Sequence, residues 1–134
     1  MIDLENEKNI VYIGVYPFIN LVASKEQGMK VLEEASECRE AYDQLAKVNI
    51  YNAENPEEAD DNMLDFYVNN FVEEACDVLQ ATVNLLVSVF GTVENAQRAI
   101  VSGMSEVVGK NAERGYYGEY EEDIDDEEND KGVA

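Results

Sequence analysis

Hydrophobic residues recur at helical spacing after Ser24, which lies three residues before Gln27 in a capping-box arrangement. Apolar side chains return every three or four positions, and most positions between them are acidic. The pattern predicts a helix from Ser24 to about Lys47. The apolar positions are Val31, Leu32, Ala35, Cys38, Ala41, Tyr42, Leu45 and Ala46, and the opposing acids are Glu33, Glu34, Glu37, Glu40 and Asp43.

A second and longer pattern predicts a helix from Met63 to about Phe90, capped by Asp61 or Asn62 and ended by Gly91. Its polar residues recur three or four positions apart, which places them on one line of the helix, and most of the remaining circumference is apolar. Such a helix is either the centre of a bundle or half of a subunit interface. The polar line comprises Asp65, Asn69, Glu73, Asp77, Gln80, Asn84 and Ser88.

Two further segments complete the predicted fold. Thr92 caps a helix that ends at Gly109. Residues 10–23 are mostly apolar and contain Pro17, so they form either a buried strand up to Tyr16 or an interrupted helix. Because no clear second strand is available to pair with it, helix is the favoured interpretation. The prediction is therefore an all-α bundle of about four helices in residues 1–109, followed by an acidic, tyrosine-containing disordered tail in residues 110–134.

The charge balance limits the kinds of partner. The chain carries 30 acids and 9 bases, a net charge of −21, and residues 1–118 alone retain −13. With so few bases, direct binding to nucleic acid or to an anionic membrane is not expected, whereas basic proteins are attracted. Three simpler explanations of the acidity compete: general solubility, adaptation to high salt, and a tail that serves only as an interaction or solubility tag on an ordinary helical protein. The third overlaps the first. The presence of six lysines against three arginines and of many large aliphatic residues argues against the second.

The cysteines and the apolar runs indicate a cytoplasmic protein, in the host cytoplasm if the chain is viral. Cys38 and Cys76 belong to no CxxC motif, so both are interpreted as reduced and buried thiols. The N-terminus lacks the basic region of a secretion signal, and no apolar run reaches the ~20 residues of a membrane span.

No motif for catalysis or for a cofactor is present. The chain has no histidine, and its glycines are isolated rather than gathered in a phosphate-binding loop. Asp123, Asp125 and Glu127 alternate as in a calcium loop, but the required glycine is Glu128. We therefore expect no enzyme, no cofactor and no metal. Catalysis by paired carboxylates and a divalent metal is kept as an alternative.

The distribution of the acids is the feature with functional content. Between Lys47 and Arg98 the chain has ten carboxylates and no base. Acids four residues apart on a helix stand about 6 Å from one another, which is close to the spacing of phosphates along a nucleic-acid strand. Predicted partner-binding residues are Glu54, Glu57, Glu58, Asp60, Asp61, Asp65, Glu73, Glu74 and Asp77, with tail contacts from Glu119, Glu121, Glu122, Asp123, Asp125 and Asp126. A homodimer is expected through Leu79, Leu86, Phe90 and Ile100.

With its small helical body and a tail that reads YEEDIDDEE from Tyr120, the chain resembles phage-encoded DNA-mimic inhibitors of the anti-restriction and anti-CRISPR types. The resemblance covers composition, size and tail, and this chain departs from it by lacking tryptophan and by having an apolar N-terminal stretch. It implies a polyanion that occupies the nucleic-acid site of a host defence or replication enzyme. The alternative function is an acidic escort, or a minor viral assembly protein, that holds a basic partner through its tail.

Overall fold

The computed structural model describes residues 2–118. Within them lie three α-helices, α1 (Lys25–Glu54), α2 (Asp61–Phe90) and α3 (Val93–Glu113), and two short 3-10 turns, Glu7–Asn9 and Pro56–Glu58. The all-helical prediction is confirmed, but the number of helices is three rather than about four. The described residues divide into two compact units, one of residues 14–97 and one of residues 2–13 with 98–118.

In the first unit α1 and α2 form a helical hairpin. A connection of six residues joins them, so they run antiparallel. Their facing positions alternate in spacings of three and four, which is the heptad spacing of a coiled coil. In α1 these positions are Val31, Glu34, Cys38, Ala41, Leu45, Val48 and Asn52, and in α2 they are Leu64, Tyr67, Phe71, Glu74, Val78, Ala81, Leu85 and Ser88.

The fully buried apolar part of this hairpin is small. Among the described residues of the unit, the hydrophobic side chains below one-tenth exposure are Ala41, Leu45, Ala81 and, in the first turn of α3, Ala96. The rings of Tyr42 and Phe71 also meet across the hairpin, with centroids 5.7 Å apart. Many larger apolar side chains remain exposed to solvent, so the hairpin offers apolar surface to a partner.

The expectation of a helix over residues 10–23 was wrong, because this segment is non-helical. Pro17 supplies no amide hydrogen, and the β-branched residues before it favour extended backbone. Side-chain amides of α2 replace the lost helical hydrogen bonds. Asn84 Oδ1 accepts the Phe18 N–H at 3.0 Å, and Gln80 Nε2 donates to the Tyr16 carbonyl at 2.9 Å.

The predicted polar line on α2 is therefore not a single solvated stripe. Asn84 and Ser88 are buried, and Gln80 is half-buried. Glu34, which the sequence pattern placed among the acids opposite the apolar positions of α1, faces α2 and is 8 % exposed. In both cases the spacing alone did not show which element would cover the polar side chain.

Both cysteines, which lie within the described residues, are free thiols. Cys38 is half-buried in the hairpin, but Cys76 is exposed, so the expectation that both are buried was wrong for Cys76.

Three helix termini lie where the local signals predict them. Ser24 caps α1 and Thr92 caps α3, each accepting an amide hydrogen bond from the residue three positions later. Gly91 ends α2 with a left-handed φ of 84°, which a glycine adopts without steric cost.

Three predicted boundaries were wrong. Helix α1 continues past Lys47 to Glu54, because Val48 and Asn52 extend its contact face. The cap of α2 is Asp60 rather than Asp61 or Asn62. Helix α3 passes through Gly109 to Glu113, since Gly109 has the helical backbone and the left-handed glycine is Gly115.

The second unit contains most of α3 and the N-terminal residues. The Ile2 N–H donates to the Tyr117 carbonyl at 2.8 Å, which joins the beginning of the chain to the turn that follows α3.

Candidate functional site

Six predicted partner-binding acids lie around the connection between α1 and α2. Glu54 is the last residue of α1, Glu57 and Glu58 belong to the 3-10 turn, and Asp60 and Asp61 begin α2. Asp65 follows one helical turn later. All six are exposed, and we call this group the acidic turn. It comprises Glu54, Glu57, Glu58, Asp60, Asp61 and Asp65.

Local hydrogen bonds hold the backbone of the acidic turn. The Asp60 carboxylate accepts the amide hydrogens of Asn62 and Met63, at 3.0 and 3.2 Å. Asn55 Nδ2 donates to the Tyr51 carbonyl at 3.0 Å. The Asp60 bonds satisfy amides that the start of a helix leaves without an intrahelical partner, and the Asn55 side chain adds to the bond that its own backbone N–H donates to Tyr51.

A tyrosine at the end of α1 also contacts the acidic turn. The Tyr51 hydroxyl donates a hydrogen bond to the Glu58 carboxylate, and this bond raises the pKa of Tyr51 above its ordinary value. Glu58 and Asp60 therefore have internal partners, and Asp60 also lies at the favourable N-terminal end of a helix dipole. The acids of the turn that remain most available to bind another protein are Glu54, Glu57, Asp61 and Asp65.

The electrostatic field of the acidic turn is weakly compensated by its own chain. Residues 48–97 contain no lysine or arginine. Six carboxylates within twelve residues thus form a concentrated negative region, whose reach in solution is about 8 Å at physiological salt. Such a region accelerates association with a basic surface and repels nucleic acid.

The other three predicted binding residues do not form one surface. Glu73 and Asp77 are exposed on α2, and Glu73 lies about 18 Å along the helix from Asp61. Glu74 is half-buried in the seam facing α1. The structure thus gathers the acidic turn, leaves Glu73 and Asp77 further along α2, and directs Glu74 inward.

Glu74 belongs to a cluster of three carboxylates that sequence analysis missed. Oxygens of Glu34, Glu37 and Glu74 lie within 4.8 Å of one another across the hairpin. The repulsion from Glu34, together with smaller contributions from burial and Glu74, raises the pKa of Glu37. Oε1 of Glu74 is buried and accepts no hydrogen bond from any residue in the described range 2–118. The alternating three-four spacing of α1, which includes Glu34, was the signal that could have revealed the cluster.

Lys30 compensates part of this charge. Its ammonium group lies 2.8 Å from Glu34 and 3.0 Å from Glu33, and both carboxylates raise the lysine pKa. Glu33 therefore has a base beside it. Chemically, Glu34, Glu37 and Glu74 have the oxygen ligands that magnesium or calcium prefers. Their mutual repulsion in the folded chain also makes them a source of instability.

The remaining predicted residues are placed as follows. Leu79, Leu86 and Phe90 lie on one side of α2, and Ile100 is half-buried in α3. The predicted tail contacts, Glu119, Glu121, Glu122, Asp123, Asp125 and Asp126, lie outside the described residues.

Comparison with known proteins adds no relative: no protein family, curated protein or solved structure matches the chain. Within residues 2–118 no single helix is long and apolar enough to cross a membrane, although α2 and α3 pass that test when taken together across the bend between them.

Proposed function

We propose that this protein binds a basic nucleic-acid-binding protein, such as a host defence or replication enzyme, and inhibits it by occupying its nucleic-acid site. The observation that carries the proposal is the acidic turn: six exposed carboxylates on a hydrogen-bonded helix connection, in a stretch of fifty residues without a base. The phage DNA-mimic inhibitors that the chain resembles in composition act in this manner.

The mechanism is electrostatic substitution. A duplex presents one negative charge per ~1.7 Å of axis, and a protein that binds it releases condensed counter-ions. The acidic turn presents carboxylates to the same arginine and lysine side chains. Because its backbone is held by the Asp60 cap and by the Asn55 amide, less ordering is required at the moment of binding. Binding should therefore be fast, weakened by salt and competitive with DNA or RNA.

A charge-reversal experiment tests the proposal without damaging the helix cap. The triple variant Glu57→Lys, Asp61→Lys and Asp65→Lys removes three acids of the turn but retains Asp60, whose loss would destabilise α2. The matched control Glu26→Lys, Glu40→Lys and Glu113→Lys makes the same change in net charge at exposed positions elsewhere. The wild-type protein is immobilised, exposed to lysate at low salt and then washed with duplex DNA, which elutes any partner that shares the nucleic-acid site. The affinity of that partner for wild-type protein and for each variant is then measured.

We expect the acidic-turn variant to lose binding and the control to keep most of it, with an unchanged helical circular-dichroism spectrum in both. Equal loss in the two variants would show that only net charge matters, and retention by the acidic-turn variant would refute the proposal. Deleting residues 119–134 separates mimicry by the body from the escort alternative. Binding survives the deletion in the first case and fails in the second, and the deletion leaves the bond between Ile2 and Tyr117 in place.

A further inference from the structure

Helix α2 carries an apolar stripe on a different side from the seam that faces α1. At 3.6 residues per turn, the seven residues of the stripe fall within an arc of about 80° around the helix axis. Val68, Val72, Leu79 and Phe90 are 37 %, 50 %, 37 % and 41 % exposed, and the other three are half-buried. The apolar stripe comprises Val68, Val72, Ala75, Leu79, Val83, Leu86 and Phe90.

The spacing of the apolar stripe reads the same from both ends: four, three, four, four, three, four, with Leu79 at the centre. A two-fold axis between two antiparallel α2 helices at Leu79 would place Val68 opposite Phe90 and Val72 opposite Leu86. Ala75 would lie opposite Val83, so that a small residue meets a larger one. A two-fold interface requires one patch to complement itself, and this stripe satisfies that requirement. We propose that the apolar stripe is the contact between two copies of this chain, packed antiparallel through α2.

The distribution of charge supports a second copy in this orientation. Residues 78–93 contain no charged side chain, whereas Asp61 and Asp65 lie beyond the N-terminal end of the stripe. In the antiparallel pair each acidic end lies beside the uncharged C-terminal end of the other α2. A parallel pair would bring the same acids of two strongly negative chains together, which is unfavourable.

The dimensions of the stripe suit the centre of an interface. It extends from Val68 to Phe90, 22 helical steps or roughly 33 Å, and a helix is about 10–12 Å wide. The apolar stripe therefore has a projected area of ~360 Å² on each copy. Its accessible area is larger, because the side chains are not flat. Specific interfaces cover about 800 Å² per partner and consist of an apolar centre with a polar rim. The stripe supplies that centre, and the polar residues beside it on α2 supply the rim.

Sedimentation equilibrium over a wide concentration range tests the proposal on the full chain. We expect wild-type protein to reach twice the 15.0 kDa chain mass. Leu79→Gln, which places two polar groups on the axis, should raise the dimer dissociation constant at least about tenfold. The matched control is Val89→Gln on the same helix, an exposed apolar residue (60 %) that lies outside the stripe and should not change association.

A charge pair tests the antiparallel register even if Leu79→Gln alters folding. Val68→Glu and Phe90→Lys should each weaken the dimer. In the double variant each new glutamate lies opposite the new lysine of the other copy, which gives two ion pairs per dimer, so association should recover. The proposal would be overturned if the wild-type protein sediments as a monomer at every concentration, even if it associates with a different protein. A dimer unaffected by Leu79→Gln, or a double variant no better than the single ones, would overturn it as well. None of these measurements depends on binding of a basic protein, so the two proposals can fail separately.

Discussion

Replacement of Glu74 by glutamine should stabilise the protein, because Glu74 brings a negative charge into a cluster that repels it. Oε1 of this side chain is buried without a hydrogen-bond donor among the described residues, and oxygens of Glu34 and Glu37 lie within 4.8 Å. Glutamine has almost the same shape, removes the charge and presents an amide N–H to the neighbouring carboxylates.

The magnitude follows from two contributions. Two charges 4.8 Å apart repel by about 1 kcal/mol in water and about 3.5 kcal/mol at an effective dielectric constant of 20. Because Glu37 is exposed, solvent and salt screen its repulsion of Glu74. A buried acceptor without a donor costs about 1–3 kcal/mol, and glutamine removes part of this cost. Since Glu34 is already neutralised in part by Lys30, we expect a net gain of about 1–2 kcal/mol in the free energy of unfolding.

Urea unfolding followed by circular dichroism measures this gain, and thermal unfolding should show a rise of about 3–8 °C in the midpoint. The control is Glu73→Gln, which makes the same change in net charge at the adjacent, exposed position. A gain in Glu74→Gln no larger than the gain in Glu73→Gln would refute the reasoning, because general relief of negative charge would then explain both.

Three further predictions concern the same unit. The Glu37 pKa is raised in the folded chain above its ordinary value of 4.5, so the native state binds the proton more tightly. Protonation of Glu37 therefore adds to the free energy of unfolding as pH falls through the pKa of the folded state, and this contribution is lost as pH rises. Glu37→Gln should flatten that part of the stability–pH curve measured by urea unfolding. Asn84→Leu removes the acceptor of the Phe18 N–H, so hydrogen exchange at that amide should accelerate and stability should fall by about 1–2 kcal/mol; protection equal to wild type would contradict the docking. Asp60→Ala should cost about 1 kcal/mol in urea unfolding, whereas Asp60→Asn, which keeps the cap, should cost much less.

Acidic character and helical class were predictable from the chain because both depend on composition and on near neighbours in sequence. The acidic turn was predictable for the same reason, since its six residues lie within twelve positions of one another. The carboxylate cluster was not, because Glu74 is forty residues from Glu34 and only the pairing of α1 with α2 brings them together.

The start of α1, the end of α2 and the start of α3 were predictable, because each depends on a local hydrogen bond or on a backbone preference. Ser24 and Thr92 cap their helices through amides three residues away, and Gly91 ends α2 by adopting a left-handed backbone. The tertiary structure alone fixed the backbone around Tyr16 and Phe18, which is bound by Gln80 and Asn84 of α2. It also decided that Glu34 faces inward. The physical reason is that a cap is satisfied within one turn of its own helix, whereas the burial of a polar side chain depends on which distant element packs over it.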